Sequence, residues 1–273
     1  MNVNIQMKGA YKRLSSYKYD KAAFSGNPHI KTVKALSTFD EIRILYSRYN
    51  RNLGLYRSGY IKSRRLGQQF NESRIFTYIR TDYNSLILTI HRYLFYLIKV
   101  FDNFPKELKN GVKTSGFSSF YTSIEASSSP LHQFFLLVQN EIGILEYQLA
   151  FYRDLYLEHN DRISTDWKTI SPLGKDYFVR HIPDKHLSAK EYEKMTSMME
   201  KVFKSEVFYV LGSRRKTYNF ILKNWYRFEK KDRVLLKPLI LKTEFISPNL
   251  NEVILATCAF TNAVIDLIEE VTV

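Results

Sequence analysis

At 273 residues the chain is long enough to bury a sizeable core, as one large domain or two small ones. Its 45% hydrophobic and 25% charged content is that of a folded globular protein and excludes the disordered and fibrous classes. The net charge of +14 favours a polyanionic partner, and a single cysteine excludes an intramolecular disulfide and a thiolate zinc site.

The first six residues, Met1 to Gln6, lack the apolar core of a secretory leader, so a cytoplasmic protein is expected. Residues 1–70 carry fourteen Lys and Arg against Asp20, Asp40 and Glu41, a net +11, which leaves +3 for the remainder. A basic, Tyr-rich segment over 1–69 is therefore expected to precede a helical domain over 70–273. Within it Arg43, Arg48, Arg51, Arg57, Lys62, Arg64 and Arg65 interleave with Tyr46, Tyr49, Tyr56 and Tyr60. Two readings stand open: cations neutralising phosphates beside tyrosines that stack on bases, or a solubilising tail.

Helical periodicity predicts elements over 38–53, 70–103, 130–158, 188–211, 213–229 and 248–270. Thr38-Phe39-Asp40-Glu41 and Ser188-Ala189-Lys190-Glu191 have the form of capping boxes. Over 70–103, Tyr83, Ile87, Ile90, Leu94, Leu97 and Phe101 recur at three- and four-residue steps. Over 130–158, Val138, Ile142, Leu145, Leu149, Tyr152 and Tyr156 do the same, and these two helices are expected to pack antiparallel. The Ser-rich stretch 111–129 reads as a surface loop, 160–187 as a second irregular connection and 231–247 as an extended segment. Strand signals are otherwise weak, so an all-α fold is expected: a helical bundle around a long antiparallel pair, with a basic N-terminal segment. The longest apolar run, Leu86 to Phe101, is broken by His91, Arg92 and Lys99, so no membrane partner is expected. Cys258, inside the apolar run Val253 to Phe260, reads as a buried, inert thiol.

One stretch combines residue types that could act on a phosphodiester. Tyr152-Arg153-Asp154-Leu155-Tyr156-Leu157-Glu158-His159-Asn160 closes the helical pattern of 130–158. Arg153 offers a planar fork of donors to phosphoryl oxygens, and His159 can exchange protons near neutral pH. Asp154 is placed to orient either. A second Arg-to-His match at the same spacing, Arg180 to His186, is interrupted by Pro183 and lacks the helical setting. Arg153 to His159 resembles the R-x4–6-H signature of the HEPN superfamily of helical ribonucleases and their inactive relatives. The resemblance covers about residues 70–160. It implies a metal-independent endoribonuclease without cofactor, acting on RNA as a toxin or phage-defence effector. An antitoxin or regulatory protein is the further partner it implies. Six residues on a helix rotate the chain by about 600°, so Arg153 and His159 point about 120° apart. HEPN relatives meet that constraint by pairing two motifs across a homodimer. The alternative reading is a non-catalytic basic helical protein that holds RNA or a nucleoprotein complex and needs only the N-terminal cations. Ser213-Arg214-Arg215-Lys216 and Asn224-Trp225-Tyr226-Arg227 offer a further basic–aromatic face, or a solvated helix with Trp225 in the core.

Overall fold

A computed structural model describes residues 2–17, 28–67, 72–104, 111–127, 131–150, 167–169, 178–180, 188–203, 227–240, 245–246 and 250–272. In chain order these form α1 (Val3–Tyr17), α2 (Pro28–Leu66), α3 (Glu72–Ile98) with a 3₁₀ turn at Lys99–Asn103, and α4 (Phe117–Glu125). There follow α5 (Leu131–Ile144), continued by a π-helical segment Leu145–Ala150, β1 (Trp167–Thr169), β2 (Phe178–Arg180) and α6 (Ala189–Phe203). The last elements are α7 (Lys230–Ile240), β3 (Phe245–Ile246) and α8 (Leu250–Thr272). Helices dominate, as the periodicity predicts.

The backbone divides into two units, and the boundary falls inside α5, between Val138 and Gln139. The first takes in Met1–Val138 and Leu250–Val273, so the basic N-terminal helices share one packed body with α3, α4 and α8. The expected line at 69/70 marks a change of charge; the packing boundary lies elsewhere.

The long antiparallel pair of the first unit is α2 with α3, rather than 70–103 with 130–158. The two run side by side from Lys34 and Tyr96, through Phe39 and Tyr93, to Arg48 and Asp82, and on to Tyr56 and Phe76. Their interface follows from sequence spacing. Phe39, Ile42, Tyr46, Tyr49, Leu53 and Tyr56 recur at three- and four-residue steps and are all buried, as are Ile79, Tyr83, Leu86, Ile90, Tyr93 and Leu97 opposite. Gly67 ends α2: its φ of 64° is the left-handed conformation that side chains disfavour, and its N–H donates to the Ser63 carbonyl at 3.1 Å.

Helix α8 packs against α1 and also against α3. The Tyr93 and Thr261 hydroxyls hydrogen-bond at 2.7 Å in the interior, and Tyr46 Oη donates to Asn251 Oδ1 at 2.7 Å. Burial drives the Tyr93 phenol well above its usual range. Arg13 on α1 pairs with Asp266 at 2.6 Å and Glu269 at 3.3 Å on α8. Phe117, Phe120, Phe134 and Phe260 form an aromatic cluster whose ring centroids lie 5.6, 6.4 and 6.0 Å from Phe260. Leu250–Glu270 is long and apolar enough to cross a membrane by length and composition alone, and most of it is buried within the protein. Cys258 is buried in this helix, and desolvation pushes its thiol up to about 12.

Four other expectations change. Residues 111–129 contain α4, because Phe117, Phe120, Tyr121 and Ile124 form an apolar stripe whose burial overrides the weak helix preference of the intervening Ser and Thr. Thr38 does not cap a helix start. It lies inside α2 and returns its hydroxyl to the Lys34 carbonyl at 2.7 Å. Of the described residues in 231–247, those up to Ile240 belong to α7, with Leu236 and Leu239 buried, and Phe245–Ile246 is extended. Within 160–187, β1 and β2 pair antiparallel with Trp167 opposite Arg180, and β2 pairs antiparallel with β3.

In the second unit α6 and α7 pack together, with Met195 and Met199 buried one turn apart and Lys201 reaching Asp232 at 3.3 Å. The Ser188–Glu191 capping box forms as expected: the Ser188 N–H donates to Glu191 Oε2 at 3.0 Å, and the Glu191 N–H donates to Ser188 Oγ at 3.2 Å. The stripe predicted over 130–158 is buried at Val138, Ile142, Leu145 and Leu149; Tyr152 and Tyr156 lie outside the described residues.

Candidate polyanion-binding surface

Helix α2 carries nine Lys and Arg against Asp40 and Glu41, and from Arg43 to Leu66 it has seven cations and no carboxylate. Taking Ile42 as the centre of the buried face, about 100° per residue puts Arg43, Arg48, Arg51, Lys62 and Arg65 on the outer half of the helix. The same rotation points Tyr46, Tyr49 and Tyr56 inward, and the structure buries them to 5%, 3% and 4% exposure. Of the two open readings, the one in which these three tyrosines stack on bases does not hold. They share the three-four spacing of Ile42 and Leu53, and that spacing commits them to the core. Tyr60 has no described side chain.

The arginines differ in how far they are engaged. Arg43 pairs with Asp40 at 2.9 Å and lies over the Tyr11 ring, 4.4 Å from its centroid. Arg48 donates from Nε to Asp82 Oδ1 at 2.6 Å, while Asn52 donates to Asp82 Oδ2 at 2.7 Å. Asp82 is 4% exposed and Arg48 45%, so a buried carboxylate anchors a guanidinium that still reaches solvent. Arg57 is half-buried; Arg64 has no described side chain. Arg51, Lys62 and Arg65 are exposed, with no ion pair among the described residues.

Asp40, Arg43, Ile44, Ser47, Arg48 and Arg51 line a shallow groove of about 400 Å³ along the outer side of α2. Three guanidinium groups and the Ser47 hydroxyl supply donors of the kind that contact phosphate oxygens, beside the Asp40 carboxylate, which already holds Arg43, and the apolar Ile44. Asp82 was not singled out in the sequence as part of this surface. The available signal was a lone carboxylate within the apolar stripe, three residues after Ile79 and next to Tyr83. A charge in that position requires a buried partner.

Arg153, Asp154 and His159 lie outside the described residues, as does the second match, Arg180 to His186, at its histidine end. The described chain approaches the first motif through the π-helical segment Leu145–Ala150. Among the described residues no group of three or more His, Cys, Asp or Glu is placed to hold a metal ion.

No protein-family model, curated protein or solved structure matches this chain.

Proposed function

We propose that the first unit binds nucleic acid, RNA foremost, through the outer face of α2. One observation carries this reading: the helix turns Tyr46, Tyr49 and Tyr56 into the core and exposes Arg51, Lys62 and Arg65, which have no ion pair among the described residues, along a stretch of helix that contains no carboxylate from Arg43 to Leu66. Such a face releases the counterions of a phosphate backbone, which makes affinity strongly salt-dependent. The test is fluorescence anisotropy of a labelled RNA over a series of salt concentrations. The triple variant Arg51→Gln, Lys62→Gln, Arg65→Gln should bind more weakly, and its slope of log affinity against log salt should fall by roughly two to three. An unchanged affinity and slope would overturn the assignment to α2.

A second reading, metal-independent RNA cleavage of the HEPN kind by a homodimer, is supported by the residues at Arg153, Asp154 and His159 and by the π-helical segment three residues before Arg153. π-Bulges inside helices occur frequently at functional sites. His159→Ala and Arg153→Ala should each abolish cleavage, because loss of a general acid–base costs about 10²–10⁴-fold in rate. His186→Ala should leave it intact. Cleavage retained by His159→Ala would end this reading and leave RNA binding standing.

A further inference from the structure

We infer that the ligand of the α2 face is a duplex, held by its phosphates, rather than a single strand read through its bases; this rests on the nucleic-acid reading above. Single-strand binders combine cations with aromatic side chains on which successive bases stack. The interleaved tyrosines of α2 would supply that platform only if they were exposed, and Tyr46, Tyr49 and Tyr56 are core residues. Among the described residues Tyr78 on α3 is the most exposed aromatic side chain, at 46%, and Arg74 already lies over its ring. The outer face carries a row of cations on a regular helix, with Ile44 and Leu55 between them.

Its dimensions suit a duplex. From Arg43 to Arg65 the helix rises about 33 Å, close to the roughly 34–36 Å of one turn of B-form DNA. Arg51 and Lys62 are eleven residues apart and so differ by only about 20° around the axis, on one straight line. A stiff row of that length meets fixed phosphates on a duplex without ordering either partner, whereas a flexible strand must be straightened along it without Tyr46, Tyr49 or Tyr56 to stack on. Ile44 and Leu55 are exposed on the same face, at 61% and 52%. They are the feature that would suit a lipid surface instead, so a membrane arm belongs in the test.

The full-length protein is titrated over a series of salt concentrations with four probes: a DNA duplex of about 20 base pairs, two helical turns, an RNA duplex of the same number of base pairs, a mixed-sequence single strand, and phosphatidylcholine vesicles containing phosphatidylserine. Either duplex should bind about tenfold or more tightly than the single strand, with a salt slope near 0.9 rather than 0.7 per phosphate neutralised. The two duplex arms distinguish RNA from DNA. Tyr78→Ala should leave single-strand affinity within about twofold, where a stacked base would cost about fivefold or more. A single strand bound as tightly as the duplexes, or a fivefold loss in Tyr78→Ala, overturns the duplex inference while leaving nucleic-acid binding intact. Binding to vesicles but to none of the three nucleic acids overturns both.

Discussion

Removing Arg48 should destabilise the first unit more than removing the carboxylate it pairs with. In Arg48→Ala, Asp82, 4% exposed in the intact pair, loses its guanidinium and keeps the Asn52 amide at 2.7 Å. Breaking a buried ion pair from one side costs about 3–5 kcal/mol, because a charge is left buried without compensation. Asn52 still donates, and water can enter the space that Arg48 vacates, which places the expected cost near the lower end, about 3 kcal/mol. In Asp82→Ala the stranded charge is Arg48, which is 45% exposed and therefore solvated. That variant loses hydrogen bonds to a charged group, about 1.5–3 kcal/mol, and its cost should lie near 2. The double variant should cost less than the sum of the singles, since neither partner is left to suffer the loss. Because the chain forms two units, native-state hydrogen exchange at the amides of α2 and α3 is the suitable assay, with urea unfolding by circular dichroism beside it. The reasoning is refuted if Asp82→Ala costs as much as Arg48→Ala. It is equally refuted if the two costs add to within about 0.5 kcal/mol, the mark of independent sites.

Two further outcomes follow from the interior. Phe260→Ala should destabilise the first unit by about 3–5 kcal/mol, because the ring is fully buried among Phe117, Phe120 and Phe134; a loss below about 1 kcal/mol in urea unfolding would contradict the cluster. Cys258 should react with a thiol reagent at pH 8 only after unfolding, since its thiol is buried and pushed up to about 12. A group whose pKa is raised on folding contributes stability fully below its unfolded value, so this contribution should be lost as pH rises from about 9 towards 12. Rapid labelling of the native protein, or stability unchanged across that window, would contradict the burial.

Much of the fold is legible in local spacing. The three-four repeats of Tyr83, Ile87, Ile90, Leu94 and Leu97, and of Val138, Ile142, Leu145 and Leu149, name buried faces that the structure confirms residue by residue. The capping box at Ser188 and Glu191 is equally readable, because all its partners lie within three residues. The basic character of residues 1–70 is a matter of composition alone. Periodicity states which face of a helix is apolar but not which other face it meets. For that reason the stripe of α3 matches that of 130–158 in sequence, whereas the helix it packs against is α2. The tyrosines of α2 show the same division. As residue types they suit base stacking as well as packing, and only the docking of α3 and α8 against that face, with Tyr49 beside Tyr83 and Tyr46 bonded to Asn251, decides for packing. Asp82 is the sharpest case. The sequence determined that a carboxylate would sit in an apolar stripe. Only tertiary structure, by bringing Arg48 and Asn52 to it from 34 and 30 residues away, decided that the charge could be buried and which arginine it would hold.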